Sequence, residues 1–395
     1  MTVLKLAVKN LLGAGLRTWL NVFVLSLSFV LIIFTQGLLE GMNKQAEEAM
    51  IAAEVAGGHV QHPAYDPYDP LSLTDAHGPV PAPLAALAAA GQAAPVLVIQ
   101  GTIYPGGRLF TVRVKGIGPG QTVVDMPTAP LAAPAAGDEV PVLVGQRMAR
   151  TAGLERGDTF TLQWRDARGT FDARDAVVAG VMKTSVQSID QGIVWVPLER
   201  LREMTGLAGE ATYAILAQGA APPAAGAAPG GWVFRGQDDF LSDLRAMVES
   251  KTAGSSILYA IFLALAMLAI FDTQVLSIFH RRREMGTLMA LGFTRGKVIG
   301  LFTLEGALNG VLAALVAAVY GIPLLSWMAR TGWALPGDTD SYGFAIGERL
   351  FPSYSAGLVA GTTLIVLLTT AVVSFLPTRR VAKLKPTDAL RGRLS

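Results

Sequence analysis

The chain has 395 residues, of which 51% are hydrophobic and only 16% are charged. An ordinary soluble domain carries about 25% charged residues, so the composition indicates a membrane protein. The net charge of +2 excludes a broad basic surface for nucleic acid. The absence of cysteine excludes a disulfide, a thiolate metal site and a cysteine nucleophile.

Four apolar segments of about 20 residues, the length that a helix needs to cross a bilayer, divide the chain. The first is too long for the core of a signal peptide and no small-residue cleavage site closes it, so we expect it to be retained. In chain order the prediction is a cytoplasmic amphipathic N-terminus at 1–18, transmembrane helices at 19–40, 255–279, 298–327 and 354–377, an outer segment at 41–254, a cytoplasmic helix at 280–297, an outer loop at 328–353 and a basic tail at 378–395.

Positive charges give the orientation, because Lys and Arg in short loops stay on the cytoplasmic side. They cluster at 1–18, at 280–297 and at 378–395, whereas the loop at 328–353 offers only Arg330 and Arg349. Both termini are therefore predicted to be cytoplasmic. The predicted fold is an α-helical membrane protein with four transmembrane helices and a large α+β extracytoplasmic, periplasmic domain between helices 1 and 2.

The outer segment at 41–254 reads as α+β, in two subdomains. A helix continues from the first apolar segment until Gly57 and Gly58 stop it. Alternating apolar residues then predict half-buried antiparallel strands in HVQ, APVLVIQGTIY, RLFTVRVKGI, DTFTLQW, DAVVAGVM and GIVWVPL. Short helices are predicted in PAPLAALAAAG, VGQRMARTAGL and PLERLREMTGL, and a longer one at 236–254. The Ala/Pro stretches PTAPLAAPAAGDE and GAAPPAAGAAPGG are interpreted as linkers that do not pack specifically.

Three of the four histidines lie in one stretch, HVQHPAYDPYDPLSLTDAHG. Imidazole and carboxylate groups bind zinc, and the candidate ligands are His59, His62, Asp66, Asp69, Asp75 and His77. Their spacing has no geometry specific to a metal site, so the favoured interpretation is a polar surface loop.

Two ionisable residues, Asp272 and Glu305, fall inside predicted membrane helices. A charge at membrane depth is costly and is often functional, so either side chain could pair with a neighbouring helix. The alternative is that both lie close enough to the interface to be hydrated.

The loop between the second and third apolar segments begins with His280 and three arginines and then turns apolar. Met285, Leu288, Met289 and Gly292 recur at i, i+3, i+4 and i+7, which predicts one apolar face of a helix about two turns long. Such a face could lie on the bilayer or dock in a groove of a cytoplasmic partner.

The same stretch, HRRREMGTLMALGFTRGKVIGLFTLEG, resembles the signature of the FtsX-like, MacB-like ABC transporter permeases. The resemblance extends to LKLAVKNLLGAGLRTWLNV, VLVGQRMARTAGLERGDTFTL and LPTRRVAKLKPTDALRG, and so covers nearly the whole chain. GGHVQHPAYDPYDPL further resembles the entry to the outer domain in the lipoprotein-releasing branch.

The resemblance implies a non-catalytic permease subunit that binds no cofactor, with ATP and magnesium used by a separate ABC ATPase. It assigns the ATPase-coupling helix to Glu284, Met285, Gly286, Leu288, Met289, Leu291 and Gly292. The implied partners are that ATPase, a second permease copy or a homologous permease, membrane lipids and a periplasmic lipoprotein carrier.

The function that this resemblance implies is ATP-driven extraction of lipoproteins, or of another lipidated or amphiphilic substrate, from the bacterial inner membrane. The alternative is a mechanotransmission permease that drives a periplasmic export duct or hydrolase and moves no substrate across the bilayer. A third hypothesis, a membrane-anchored periplasmic binding protein, does not account for the docking helix, because an anchor needs only one span.

Overall fold

The computed structural model describes residues 15–134, 137–221, 231–242, 245–246, 282–334 and 349–381, with isolated positions between 257 and 275. Predictions for 1–14, for most of 255–279 including Asp272, for 335–348 and for 382–395 lie outside the described residues. The described residues divide into two compact units. The sheet unit lies within Gln45–Met247, and the helical unit combines the described parts of Met1–Lys44, Val248–Leu335 and Arg349–Ser395.

The helices are numbered in chain order. They are α1 Leu16–Met50, α2 Ala82–Ala89, α3 Gln146–Ala152, α4 Gln187–Asp190, α5 Leu198–Thr205, α6 Arg282–Ala290, α7 Arg295–Thr331 and α8 Ala356–Val381. A π-helical turn, Ile51–Val55, follows α1, and 3-10 turns lie at Pro70–Thr74, Pro105–Gly107 and Ala129–Ala132. Among the described residues, three helical stretches are long and apolar enough to cross a membrane: Val22–Val55, Arg295–Thr331 and Ala356–Leu376.

Eleven strands are described in the sheet unit. They are β1 His59–Gln61, β2 Gly78–Pro79, β3 Ala93–Tyr104, β4 Phe110–Ile117, β5 Val140–Gly145, β6 Thr159–Arg165, β7 Phe171–Met182, β8 Ile193–Pro197, β9 Glu210–Ala211, β10 Tyr213–Leu216 and β11 Val233–Arg235. The helical unit adds β12 Trp333–Ala334, paired with β13 Arg349–Leu350. The strands and short helices predicted for the outer segment are confirmed at these positions, and β2, β5, β9, β10 and β11 are additional.

Six strands of the sheet unit close into a barrel. The sheet runs β11-β1-β10-β3-β4-β8-β5-β7-β6, and β6 pairs back onto β3. The β4–β8 and β5–β7 ladders are parallel, so the prediction of antiparallel strands is wrong for these two pairs. Parallel neighbours arise because β4 and β8, like β5 and β7, are joined by chain crossovers and not by hairpins.

Gly101 permits the closure. The first part of β3 pairs with β10, and the part from Gly101 to Tyr104 pairs with β6, with Gly101 opposite Trp164. A Cβ at position 101 would lie 2.7 Å from Val114 Cγ2 and 3.2 Å from the Gln163 carbonyl oxygen. Glycine is therefore required where β3 turns from one neighbour to the next.

Apolar residues fill both faces of the sheet. The barrel interior contains Val114, Leu162 and Trp164, and helices α3 and α5 cover it. The Trp164 indole N–H donates to the Met204 carbonyl of α5 at 3.0 Å. The outer face of the same sheet is covered by Ala53, Ala56, Leu73, Leu131, Val186 and Ile189.

Leu131 corrects the interpretation of the first Ala/Pro stretch as a linker. It lies in the 3-10 turn Ala129–Ala132 and is only 2% exposed. One large side chain among Ala and Pro is enough to anchor the stretch in a core. In the second stretch, residues 222–230 lie outside the described residues.

Candidate functional site

The candidate coupling helix is α6, which a tight turn joins to α7. The Phe293 N–H donates to the Leu288 carbonyl at 3.0 Å and the Gly292 N–H donates to the Met289 carbonyl at 3.1 Å. This pair of bonds is a Schellman motif, which requires a left-handed residue after the helix. Gly292 supplies it, with φ +93°. The sequence ALGFT therefore produces a defined helical hairpin, named here the α6–α7 hairpin.

The apolar face of α6 packs inside the chain's own hairpin. Met285, Val298 and Phe302 form a buried cluster, and Leu288, Met289 and Phe293 pack against it. Leu288 and Phe293, which both pack against this cluster, occupy the two positions whose apolar side chains accompany a Schellman motif. Gly292 lies in the turn beyond Ala290, so the prediction that it extends the helical face is wrong.

This packing separates the predicted coupling residues into three groups. Met285 and Gly286 are buried, and Leu288 and Met289 are half-buried. Glu284, Leu291 and Gly292 are exposed, Leu291 by 74%. The exposed group, with Thr287 and Ala290, is called the hairpin edge below. The hairpin edge is the part of α6 and its turn that can reach a partner or the bilayer.

Glycines set the contacts between the helices of the helical unit. A Cβ at Gly321 of α7 would lie 2.8 Å from Val30 Cγ2 of α1, and one at Gly310 would lie 3.2 Å from Thr370 Cγ2 of α8. Small residues let helix backbones approach closely in a membrane. Glu305 of α7 is 8% exposed, so its side chain lies inside this unit and not on its surface.

A second glycine contact was not predicted from the sequence. Gly37 and Gly41 of α1 face the extended segment 351–354 that precedes α8. A Cβ at Gly37 would lie 2.1 Å from Tyr354 Cε1, and a Cβ at Gly41 would lie 2.1 Å from the Phe351 carbonyl oxygen. The Ser353 N–H donates to the Gly37 carbonyl at 2.8 Å. The signal was the spacing Gly-x-x-x-Gly in an apolar helix.

In the sheet unit, the π-helical turn Ile51–Val55 is held by hydrogen bonds on several sides. The Asp125 N–H donates to the Ala52 carbonyl at 2.8 Å, and the Gly57 N–H donates to the Leu216 carbonyl at 2.7 Å. Gln237 Nε2 donates to the Ala56 carbonyl, and Ser188 Oγ donates to the Glu54 carboxylate. The turn and the two residues that follow it, Ala56 and Gly57, are therefore bonded to four separate segments of the sheet unit.

Glu54 also lies beside a buried cationic and aromatic cluster. His59 is 4% exposed, stacks on Tyr213 with ring centroids 4.8 Å apart, and donates from Nε2 to the Glu54 carbonyl at 2.9 Å. Lys115 Nζ lies 5.1 Å from the Trp195 ring centroid and 5.9 Å from that of Tyr213, which are cation–π distances.

Burial controls the charges of this cluster. Burial lowers the pKa of His59 to about 4, although the bond to the Glu54 carbonyl opposes the shift. His59 is therefore neutral at pH 7. Burial also lowers the pKa of Lys115, and the Glu54 carboxylate opposes that shift. Burial raises the pKa of Tyr65 to about 12.

The interpretation of the histidine stretch as a polar surface loop is wrong for His59, which is buried among aromatic rings. His77 Nδ1 lies 2.6 Å from Glu210 Oε2, and the His62 ring contacts Trp232 edge-on. Within the described ranges, no group of three or more His, Asp or Glu side chains is arranged to hold a metal ion.

The sequence VLVGQRMARTAGL folds into β5, a glycine and α3, and it forms a buried ion pair. Arg147 Nη1 donates to Asp190 Oδ2 at 2.9 Å, and the Arg147 backbone N–H donates to Asp190 Oδ1 at 3.0 Å. The Asp190 side chain is 1% exposed. A Cβ at Gly145 would lie 1.7 Å from Asp190 Oδ1, so glycine provides the space for the carboxylate.

Comparison with known families matches both parts of the chain. Residues 18–228, more than half of the chain, match the MacB-like periplasmic core domain, and residues 256–386 match the FtsX-like permease C-terminal domain. The chain is an FtsX-like ABC transporter permease. The first match covers the sheet unit from β1 to β10, and the α6–α7 hairpin falls within the second.

Individual relatives of this FtsX-like permease carry different names. The lipoprotein-releasing system transmembrane protein LolC of Neisseria meningitidis is 23% identical over 76% of this chain and 77% of its own length. The macrolide export ATP-binding/permease protein MacB of Chromobacterium violaceum is 29% identical over 39% of this chain and 23% of its own. An uncharacterized ABC transporter permease of Methanocaldococcus jannaschii is 28% identical over 40% of this chain and 39% of its own length. The chain thus spans well under two thirds of the last two relatives.

Proposed function

We propose that this permease couples ATP hydrolysis by a separate ABC ATPase to the extraction or release of lipoproteins, or of another lipidated or amphiphilic substrate, from the bacterial inner membrane. The observation that carries the proposal is the hairpin edge. It is an exposed, hydrogen-bonded turn at the end of a helix long enough to cross a membrane. The similarity to LolC over 76% of the chain supports the choice of substrate.

The hairpin edge is the proposed contact for the ATPase. Because Met285 and Gly286 are buried within the hairpin, they support the contact, and Glu284, Leu291 and Gly292 make it. A hairpin edge that contacts a cytoplasmic ATPase must itself lie in the cytoplasm. The matching orientation has both termini in the cytoplasm and the sheet unit in the periplasm. The name of the matching core domain supports that placement.

Substrate extraction needs an apolar surface that opens toward lipid. The side chains of α1 provide one, since Trp19, Phe23, Leu27 and Leu31 are at least half exposed. An exposed apolar stripe on a membrane helix is accommodated by the bilayer. A second permease, identical or homologous, would pair with this one, and a periplasmic carrier would accept the released lipoprotein.

A second candidate function is mechanotransmission to a periplasmic duct or hydrolase without movement of substrate across the bilayer. The fixed π-helical turn favours it, because Ala52, Glu54 and Ala56 are bonded to separate segments of the sheet unit. A rigidly held turn transmits displacement better than a flexible tether would. The similarity to MacB supports this candidate as much as that to LolC supports the first.

Leu291→Asp tests the coupling contact. It places a charge on the hairpin edge without entering the buried cluster, so we expect the permease to insert normally and to lose at least tenfold in stimulation of its ATPase. A charge at Met289 would disturb the hairpin itself and is less informative. Met285→Leu, which keeps the buried cluster apolar, is the matched control. Unchanged stimulation by the Leu291 variant would remove the hairpin edge from the contact.

A release assay separates the two functions. Proteoliposomes that contain the permease, its ATPase and a triacylated lipoprotein would be given ATP, and released lipoprotein would be measured in the soluble fraction. ATP-dependent release supports extraction. ATP hydrolysis that is coupled but releases no lipoprotein, with or without a carrier, would move the assignment to mechanotransmission.

A further inference from the structure

The sheet unit contains a polar pocket of about 360 Å³ that neither proposed function uses. Its floor is formed where β3 and β4 continue beyond the apolar core on the outer face of the sheet. Val98 of β3 belongs to that core, and Gln100, two residues further along, shares its face. Gln100 is paired directly with Arg113 of β4. The walls of the pocket come from the loop at 65–73 and the turn at 191–192.

Arg113 is the only cation among the described residues that line this pocket. Its backbone N–H donates to the Gly192 carbonyl at 2.9 Å, so its place in the strand is fixed. Its side chain is half-buried and makes no hydrogen bond or ion pair with any residue that the structure describes. A guanidinium carries five N–H donors, and removing them from water without an acceptor costs free energy. An anionic group in the pocket would offset that cost.

Two hydroxyl groups add further donors to the pocket. Thr111 lies two residues from Arg113 on the same face of β4, and Tyr65 belongs to the loop wall. Neither hydroxyl makes a hydrogen bond within the described part of the chain. Burial raises the pKa of Tyr65 to about 12, so its hydroxyl stays protonated at neutral pH and can donate. A guanidinium with two hydroxyls matches the acceptor oxygens of a carboxylate.

The loop wall also carries negative charge. Asp66 Oδ1 accepts from the Tyr68 N–H at 2.9 Å, and Asp69 Oδ1 accepts from the Leu71 N–H at 2.9 Å. The second oxygen of each carboxylate makes no hydrogen bond to a described residue, and neither carboxylate forms an ion pair with Arg113. The pocket therefore holds unlike charges apart, and a molecule that carries both charges can bridge them.

The pocket is formed without a ligand. Gln100 Nε2 donates to the Pro70 carbonyl at 3.2 Å, which joins the loop wall to the floor. Ser72 Oγ donates to the Asp69 carbonyl at 2.7 Å within the loop. A site that is already ordered loses less conformational entropy when it binds. Its volume lies at the lower end of the range of about 300–1,000 Å³ that is typical of small-molecule pockets, so the ligand is small.

We propose that this pocket binds a small zwitterion, such as a dipeptide with free termini. Its carboxylate accepts hydrogen bonds from Arg113, Tyr65 and Thr111, and its ammonium group lies against Asp66 and Asp69. The two aspartates would repel a simple anion and Arg113 would repel a simple cation, whereas a zwitterion complements both. The pocket gives the permease a ligand site in the sheet unit that is separate from the hairpin edge.

The test measures binding of L-alanyl-L-alanine to the full-length permease in nanodiscs by saturation-transfer difference NMR. Two analogues each remove one charge: N-acetyl-alanyl-alanine lacks the ammonium group, and alanyl-alanine amide lacks the carboxylate. We expect each analogue to bind at least fivefold more weakly than the zwitterion, because hydrogen bonds to charged groups are the stronger ones. Equal affinity for all three ligands, or no binding of L-alanyl-L-alanine, would overturn the proposal. Tighter binding of phosphoethanolamine would overturn the choice of a carboxylate.

Variants of the permease assign each charge to its residues. Arg113→Gln should weaken binding of the zwitterion at least tenfold and leave that of the amide analogue unchanged. Asp66→Asn combined with Asp69→Asn keeps the oxygens that accept from the loop and removes the charges, so the advantage of the zwitterion over the N-acetyl analogue should disappear. Arg174→Gln removes a guanidinium that pairs with Asp138 outside the pocket and should keep wild-type affinity. An equal loss for all ligands in Arg113→Gln would overturn its role as the carboxylate partner.

The outcome is independent of both proposed functions. Binding is measured without ATP, ATPase or lipoprotein, so its failure leaves the hairpin edge and its partner untouched. Thermal unfolding shows whether each variant is folded. If one is not, the comparison of the three ligands on the wild-type permease still decides, because each ligand differs from the zwitterion by one charge.

Discussion

The tryptophans of the two units lie in opposite environments. In the sheet unit Trp164 and Trp195 are 1% and 2% exposed, whereas in the helical unit Trp19 and Trp327 are 55% and 61% exposed. The sheet unit hides its large apolar side chains as a protein in water does. The helical unit presents them outward, as a protein in lipid does.

The two units also rely on different interactions. The sheet unit combines apolar cores on both faces of a sheet with a buried ion pair between Arg147 and Asp190. The helical unit depends on close approach at Gly37, Gly41, Gly310 and Gly321. The comparison teaches that stability is lost most easily through an uncompensated charge in the first unit and through added volume in the second.

The largest effect is expected for Asp190→Ala in the sheet unit. Removing the carboxylate takes away the buried counter-ion of the Arg147 guanidinium, which keeps its bond to the Thr184 carbonyl, and the acceptor of the Arg147 backbone N–H. Loss of one partner of a buried ion pair typically costs about 3–5 kcal/mol. Urea unfolding followed by the fluorescence of the buried tryptophans would measure the change in free energy of unfolding. Asp138→Ala, which removes an exposed carboxylate paired with Arg174 and Arg200, should cost below about 1 kcal/mol. Equal losses would contradict the account.

The next effect is a pH dependence confined to the sheet unit. The pKa of His59 is about 4 in the folded protein and 6.5 when unfolded, so the unfolded chain binds the proton first. The stabilisation is complete above pH 6.5 and is lost as pH falls toward 4, by about 2 kcal/mol between pH 7 and 5. His59→Phe keeps an aromatic ring against Tyr213 and cannot be protonated. A variant with the same pH profile as wild type would refute this role of His59.

Added volume is the sharpest challenge to the helical unit. Gly41→Ala places a Cβ 2.1 Å from the Phe351 carbonyl oxygen, and overpacking typically costs about 1–3 kcal/mol. Thermal unfolding in detergent would measure the loss. Gly300→Ala in α7 meets nothing within 4 Å and should be neutral or slightly stabilising. The contact is not essential if the two variants unfold alike.

The smallest effect is expected at the hairpin turn. Gly292→Ala forces alanine into φ +93°, which should cost about 1 kcal/mol. Gly296→Ala, at a position with open space within α7, is the control and should not destabilise. Thermal unfolding and ATPase stimulation would be compared for both. A Gly296 variant that loses more than the Gly292 variant would mean that the Schellman turn does not hold the hairpin.

Local pattern was sufficient for most elements of the sheet unit. Period-two alternation located β3, β4, β6, β7 and β8, and glycine ended α5 where expected. β5 and β10 were missed, and all their residues are buried; β8 is nearly as buried but lies in a longer apolar run that ends at Pro197. The closure of β3 onto β6 was not predictable, because the pairing joins residues about 60 positions apart and leaves no local signal.

The candidate site was only partly predictable for a related reason. Periodicity places Met285, Leu288 and Met289 on one face of α6, and the structure confirms that they share a cluster. Periodicity does not say what covers that face. The covering residues, Val298 and Phe302, follow the turn on α7, and so the exposed hairpin edge emerges only from the folded hairpin. The assignment of this edge to an ATPase stays a prediction.

Site-specific photocross-linking in membrane vesicles tests the central claim most directly. A photoreactive amino acid would be placed at Leu291, on the hairpin edge, and separately at Met285, in the buried cluster. The account predicts a strong cross-link from position 291 to an ABC ATPase and none from position 285. Cross-links from position 291 to phospholipid alone would show that the hairpin lies on the bilayer surface and would contradict the coupling assignment.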